Sequence, residues 1–382
     1  MDITYRNFKT MNILYILPNI NVTGGISRIV ISKANYLADT PGFNVTICYY
    51  GSSEDKSVYY INEKIHKIPI SINKKKSIWY RFINVIHSTN IVKNIIKKND
   101  INIAINANAP YLLWTLPLIC KKCKKIHEFH FSYDGQEILD NQIFHNILLR
   151  NAIHHIRRVC VNKFDKSIVL THSDKEKWKL NNTIVIPNFT DIVCCSSYPI
   201  ESKNVIAVGR LELQKDYPTM IKAWSIVHKK HPDWQLRIFG EGSQKNKLTQ
   251  LTEELNLNNT IHILGNTNKI IQEYQQSSFL ILSSIYEGLP LVIIEAQRCG
   301  LPCITFDITG AKEIIKDKKT GLIVQEHNIK ALAEAINLLI EDSNLRNKLH
   351  ENAIYESAKF SKENIMNQWI KLFIDLKNNT LN

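Results

Sequence analysis

Short β-rich runs alternate with amphipathic helical stretches along this 382-residue chain, and the alternation is played through twice. Apolar runs at 12–17, 44–49, 101–106, 125–128 and 167–170 read as buried strands, and the patterns at 26–38, 77–98 and 138–163 read as helices. Strands return at 204–208, 234–239, 261–264, 279–282, 302–305 and 322–324, again separated by helices. Such alternation predicts right-handed βαβ units and parallel sheets with helices on both faces. The scheme pauses over residues 187–203 (PNFTDIVCCSSYPIESK), which hold two prolines, small polar residues and no periodicity. The expected architecture is therefore α/β, with two doubly wound domains over 1–190 and 200–360 facing each other across a cleft. Ligands in such folds sit at the carboxyl ends of the strands. A last amphipathic stretch, 361–376, carries Trp369 and Phe373.

The residues that carry chemistry stand where strands hand over to helices. Thr23-Gly24-Gly25-Ile26-Ser27-Arg28 follows the first strand. It suits either a plain tight turn or a backbone that approaches an anion at a helix N-terminus. Its spacing is not that of a dinucleotide fingerprint. Val208-Gly209-Arg210-Leu211-Glu212-Leu213-Gln214-Lys215 follows the first strand of the second half. A planar guanidinium fork and a second cation five residues on would suit a diphosphate, the bland alternative being two solvated surface cations. In Tyr286-Glu287-Gly288-Leu289-Pro290-Leu291-Val292-Ile293-Ile294-Glu295, Pro290 is expected at the first position of a helix that Gly300 ends. The amides of its first turn, at Leu291 and its neighbours, could hold phosphate oxygens. With Glu287 before the helix and Glu295 about 7–8 Å further along it, a nucleotide sugar fits, ribose near Glu295 and hexose near Glu287. A capped helix with an incidental glutamate is the alternative. Finally, His127-Glu128-Phe129-His130 ends a strand of the first half. His127 and Phe129 should face one way, Glu128 and His130 the other. His130 could serve a sugar or a hydroxyl, or be a satisfied structural histidine.

Charge narrows the partners. Of 48 Lys+Arg and 35 Asp+Glu, residues 1–190 hold 26 and 13, whereas residues 191–382 hold 22 and 22, so the whole net charge of +13 lies in the first half. That surplus suggests nucleic acid, phosphorylated ligands or an anionic membrane face. The basic clusters fall at 74–76, 121–125 and 157–158, without the interleaved aromatics of a nucleic-acid surface. No apolar run reaches the ~20 residues of a membrane span, no secretory signal is evident, and residues before Met11 read as an appendage, with Met11 an alternative start. The eight cysteines are scattered; Cys120-Lys-Lys-Cys123 has zinc-ligand spacing but no matching second pair, so reduced thiols in the cytoplasm are expected.

Together these motifs resemble glycosyltransferase family 4, retaining enzymes with the GT-B fold of two Rossmann-like domains. The resemblance runs from Met11 over nearly the whole chain. It is strongest at Glu287 and Glu295 (E-x7-E within EGLPLVIIEAQ) and at GRLELQKDYPTMIKAW; FGEGSQKNKL, THSDKEKW and VIPNF add to it. The nearest likeness is to bacterial transferases that build capsule, exopolysaccharide or O-antigen repeat units. The resemblance implies that Arg210 and Lys215 neutralise the donor diphosphate, with Leu289 and Leu291 beside it. Gly24 and Gly25 would close over it and Glu295 would hold the ribose. Glu287 would bind donor-sugar hydroxyls near the reacting carbon, and His130 would contact the sugar near the acceptor. It also implies no metal or other cofactor, Arg and Lys replacing a divalent ion in charge. The last helix would pack back on the first domain. The expected partners are a nucleotide sugar, a saccharide or lipid-diphosphate-linked acceptor and the anionic inner leaflet, not nucleic acid. The expected place is the cytoplasm, peripheral to the inner membrane face, with the lysines of 121–125 docking there. Rival readings are a catalytically silent sugar-nucleotide-binding relative and a basic nucleic-acid-binding protein.

Overall fold

A computed structural model describes residues 10–22, 24–73, 77–143, 145–193, 199 and 201–378. The segment before Thr10, Thr23 of the glycine loop, the basic run 74–76, and Cys194 and Cys195 lie outside the described residues. Contacts divide the chain into two units: one runs to Ile186 and takes up the chain again from Met366, and the other is Pro187–Ile365.

In the first unit the order is β1 (Met11–Leu17), α1 (Gly25–Asp39), β2 (Phe43–Tyr50), β3 (His66–Ile70), α2 (Ile78–Lys98), β4 (Ile103–Ala107) and β5 (Lys124–Glu128). Then come α3 (Tyr133–Ile143), α4 (Ile147–Val161), β6 (Lys166–Val169), α5 (His172–Trp178) and β7 (Thr183–Val185). The second unit holds β8 (Asn204–Val208), α6 (Tyr217–His228), β9 (Gln235–Phe239), α7 (Lys245–Glu254), β10 (Ile261–Gly265), α8 (Ile270–Gln275) and β11 (Phe279–Leu282). It continues with α9 (Leu291–Arg298), β12 (Cys303–Phe306), α10 (Thr309–Lys312), β13 (Gly321–Val324), α11 (Ile329–Glu341) and α12 (Ser343–Ser357); α13 (Lys362–Lys377) closes the described chain.

Among the described residues all strand pairs within the two sheets are parallel, in the orders β3-β2-β1-β4-β5-β6-β7 and β10-β9-β8-β11-β12-β13. Counted within each unit, both sheets run third, second, first, fourth, fifth, sixth, so each reverses direction between its first and fourth strands. Ligands of doubly wound sheets bind outside the carboxyl ends at that reversal. Strands covered by helices on both faces are apolar throughout, as in β11, whose four residues are all buried.

Three features differ from the sequence pattern. β3 and β7 were not expected; β3 contains Pro69 and shows no clean alternation, and β7 is only three residues long. The single helix expected over 138–163 is two, because Asn146 caps α4, its side chain accepting from the amides of Leu148 and Leu149. Of the basic run 121–125, Lys121 and Lys122 are exposed and the other two lysines are engaged. Lys125 is buried, its ammonium donating to the Cys120 carbonyl at 2.8 Å, and Lys124 pairs with Asp165 at 3.3 Å. Cys120 and Cys123 are both free thiols.

The last helix completes the first unit. Trp369 and Phe373 are buried, Phe373 against Phe43 (6.4 Å between ring centroids) and Trp369 beneath the Lys33 ammonium (4.3 Å).

Candidate active site

In the second unit, the chain leaves β8 at Gly209 and β11 at Ser283, the two strands flanking the reversal. Gly209 is clamped from three sides. Its amide donates to the Phe239 carbonyl (3.0 Å), its carbonyl accepts from the Tyr217 hydroxyl (3.1 Å), and Gly240 lies so close that a Cβ there would stand 1.9 Å from the Gly209 oxygen. This packing fixes the backbone that delivers Arg210, whose side chain is exposed. Beyond it the chain makes a 3-10 turn, Leu213–Lys215, closed by Asp216 in the left-handed conformation (φ 43°).

That turn is tied to the loop after β11. Gln214 donates to the Tyr286 carbonyl (2.7 Å), Ile285 N donates to the Gln214 carbonyl (2.8 Å), and the Ser283 hydroxyl donates to the Lys215 carbonyl (2.7 Å). The Lys215 ammonium meets Glu287 Oε1 at 2.5 Å, and the Ser284 hydroxyl donates to the same oxygen at 2.8 Å. The structure thus pairs Lys215, the expected diphosphate cation, with Glu287, the expected sugar-binding carboxylate, while Arg210 stands exposed five residues before Lys215 on the same loop. Behind Glu287, a Cβ on Gly310 would come within 2.4 Å of the Gly288 carbonyl. Pro290 is the N-cap of α9, not its first residue, which is Leu291. Leu289 is buried and Leu291 half-buried. First-turn amides have no partner inside a helix; that of Ile293 donates to the Pro290 carbonyl, while Leu291 and Val292 lead at the open end. Glu295 lies on the same helix with its carboxylate buried, accepting from the Tyr274 hydroxyl at 3.2 Å. Sequence reasoning missed Tyr274 and Ser284, which stand in no recognisable pattern, and Gln214, which lies within the GRLELQKDYPTMIKAW motif but was not singled out.

In the first unit, Gly24 is the extended N-cap of α1 (φ 175°), and a Cβ there would meet nothing within 4 Å. Packing does not demand glycine at this position; it leaves open space above the backbone. The Tyr59 hydroxyl holds the loop, accepting from Gly24 N (3.1 Å) and donating to its carbonyl (3.3 Å). Gly25 begins α1, whose first turn carries no acidic residue.

His130, for which the sequence leaves a sugar-serving and a structural role open, is a buried imidazole. Its side chain is 2% exposed, with Nε2 3.7 Å from Glu128 Oε1, and Glu128 is itself ion-paired with Lys33, both 1% exposed. His127 turns the other way, onto Phe129 (4.5 Å between centroids). Both histidines line a cavity of about 50 Å³ with Asn108, Gln136 and Arg157. Burial holds His127 down to about 3, aided by His130 and Arg157. Burial likewise holds His130 down to about 4; Glu128 opposes the shift and Lys33 adds to it. Both rings are neutral donors and acceptors at neutral pH. Neither the Lys33–Glu128 pair nor its burial was legible: a lysine in an amphipathic helix reads as surface.

The histidines give the first unit an acid-sensitive fold. In an unfolded chain both titrate near 6.5. Below that pH the unfolded chain takes up protons the folded unit refuses, so stability is full above about 6.5 and falls toward pH 4. Between pH 7 and 5 the loss should be about 2 kcal/mol per histidine, read in urea unfolding. A profile identical for the wild type and His127→Gln would refute this.

Among the described residues no group of three or more His, Cys, Asp or Glu is placed to hold a metal ion.

Residues 197–355 match the family described as Glycosyl transferases group 1. The chain is similar to the amylovoran biosynthesis glycosyltransferase AmsD of Erwinia amylovora, 26% identical over 94% of this chain and 98% of that protein. It is also similar, at 24% identity over 96% and 99%, to a Campylobacter jejuni protein. That relative is named as the GalNAc-alpha-(1->4)-GalNAc-alpha-(1->3)-diNAcBac-PP-undecaprenol alpha-1,4-N-acetyl-D-galactosaminyltransferase. Among solved structures it resembles Anabaena HepE in complex with UDP, with a TM-score of 0.76 at 17% identity over 96% of this chain and 100% of that one. The family match lies within the second unit, and the two sheets of the chain are the Rossmann-like units of the GT-B fold.

Proposed function

We propose that the protein is a retaining, metal-independent glycosyltransferase. It moves a hexose or N-acetylhexosamine from a UDP-sugar to a lipid-linked or oligosaccharide acceptor in surface polysaccharide biosynthesis. The observation that carries this reading is the pair of loops at the reversal of the second sheet, where Lys215, on the loop that also carries the exposed Arg210, meets Glu287. The UDP bound to HepE and the lipid-diphosphate substrate in the name of the Campylobacter relative support the choice of donor and acceptor.

The chemistry follows from those groups. Arg210 offers two parallel donors to diphosphate oxygens. Lys215 turns from Glu287 to the diphosphate when the donor arrives, and the leading amides of α9 add to the same anion site. Glu287, relieved of its cation, takes the hydroxyls of the donor sugar, and Glu295 takes those of the ribose. The bond from the anomeric carbon to the diphosphate breaks as the acceptor oxygen bonds to that carbon on the same face. The acceptor proton passes to the departing phosphate oxygen, so no protein base is needed. Gly24, Gly25 and His130 keep the donor and sugar contacts that the resemblance implies. The protein works in the cytoplasm, peripheral to the inner membrane face.

The test is transfer from a panel of UDP- and GDP-sugars to lipid-linked oligosaccharides, with and without EDTA. Turnover with a UDP-sugar that survives EDTA is expected. A strict Mg²⁺ requirement would remove the metal-free mechanism. UDP binding without transfer from any donor would favour the silent sugar-nucleotide-binding relative.

A further inference from the structure

Two helices of the first unit are inside out. A helix at a protein–water boundary normally turns its apolar stripe inward. In α4 the polar side chains face the protein: Arg157 makes a two-pronged pair with Asp140 (2.7 and 3.1 Å), His154 stands 2.7 Å from the same carboxylate, and Arg150 bonds Asn141. The opposite face carries Leu148 (75% exposed), Leu149, Ile156 and Val159, all exposed. Positions 148, 152, 156 and 159 fall on one side of a 3.6-residue helix. The first half of α2 repeats the inversion. Asn84 and Ser88 are buried, Asn84 exchanging two 2.9 Å hydrogen bonds with the backbone of Asn73. Trp79 (66% exposed), Phe82, Ile83 and Ile86 point outward, with Trp79 stacked on Phe82.

Both helices belong to one face of the sheet. The crossovers from β3 to β4 and from β5 to β6 step the same way along the strand order, so right-handedness puts α2 and α4 on the same side. Charge selects the occupant. Neither α2 nor α4 contains an aspartate or glutamate, and Arg81, Lys93, Lys97 and Lys98 of α2 are exposed. Apolar outward faces of this size are covered by something. The exposed cations of α2 and its outward tryptophan match the anionic headgroup layer of a bilayer. Among the described residues no helix is long and apolar enough to cross a membrane, so the face lies on the surface.

We propose that the outer faces of α2 and α4 form the surface by which the protein docks on anionic phospholipid. The proposal deepens the functional reading by naming the surface that places the protein at the membrane. The test uses no donor or acceptor, so its failure leaves the transfer reading intact, and failed transfer leaves docking intact. The full chain is sedimented with phosphatidylglycerol-rich vesicles and with phosphatidylcholine vesicles. Binding to the first only, weakened by salt, is expected. Leu148→Ser with Ile156→Ser should reduce it at least ~10-fold, as should Trp79→Ser with Phe82→Ser, all with unchanged thermal unfolding because the side chains are exposed. Wild-type binding by both double variants, or equal binding to both vesicles, would overturn the proposal. So would a lack of vesicle binding together with a dimer, seen by light scattering, that these substitutions dissociate; the face would then belong to a second copy.

Discussion

Replacing Glu287 by alanine should lower kcat at least ~100-fold while the KM for donor stays level or falls. The two directions come from one contact. Lys215 is bound to Glu287 at 2.5 Å and Ser284 shares the same oxygen, so part of the donor's diphosphate attraction is consumed in separating that pair. The Glu287→Ala variant frees the ammonium and strengthens the ground-state anion site, yet loses the carboxylate that orients the sugar. Lys215→Ala should do the reverse, weakening UDP binding and leaving Glu287 without its cation. Arg210 has no such exchange to make, and Arg210→Ala should weaken UDP binding and lower kcat together, the latter also about 100-fold. Steady-state kinetics with calorimetric titration of UDP separates the cases. If Glu287→Ala weakened UDP binding as much as Lys215→Ala does, the pair would not be a switch between ligand-free and ligand-bound partners.

Gly240→Ala should be the most damaging single methyl in the second unit. The added carbon would stand 1.9 Å from the Gly209 carbonyl oxygen, and the collision is backbone against backbone. Neither side can yield cheaply, since Gly240 N is bonded to the Gly265 carbonyl (2.8 Å) and Gly209 N to that of Phe239 (3.0 Å). A cost of about 3 kcal/mol or more is expected, together with loss of UDP affinity because the displaced segment carries Arg210. Gly24→Ala is the counterpart. With nothing within 4 Å of its new carbon, stability should hold within about 0.5 kcal/mol, and only donor kinetics should change. Chemical unfolding of the two variants side by side decides the matter; equal stability would mean the Gly209–Gly240 approach relaxes freely.

What could be read from the sequence, and what could not, divides along the range of the interactions. Strands such as β8 and β11 and the loops that follow them are local patterns, and Arg210, Lys215 and Glu287 could be picked out because glycines and prolines punctuate them. That Lys215 would touch Glu287 could not, since the contact joins residues 72 apart and depends on the crossover that sets β8 beside β11. The cap that splits α3 from α4 was legible in principle at Asn146, but the apolar periodicity on either side overrode it. Pro290 was misplaced by one residue because its ring-fixed φ (−71°) is compatible with both the cap and the first helical position, and only its extended ψ (100°) separates them. The burial of Lys33 lay further out of reach, because it is created by Glu128 of β5, 95 residues away, and by Trp369 of α13, which no window around Lys33 contains. For His130, Glu128 was in view but the lysine that pairs with it was not.

The return of α13 to the first unit also sets an order of events during synthesis. Residues up to 186 leave the ribosome first, but the surface that covers Lys33 and Phe43 is supplied by Trp369 and Phe373. All of residues 187–365 are made in between, a delay on the order of tens of seconds at typical elongation rates. The first unit is therefore the first to be made and the last to be finished. Through that interval its buried lysine and the apolar residues around it stand open to solvent, while the whole second unit is free to fold.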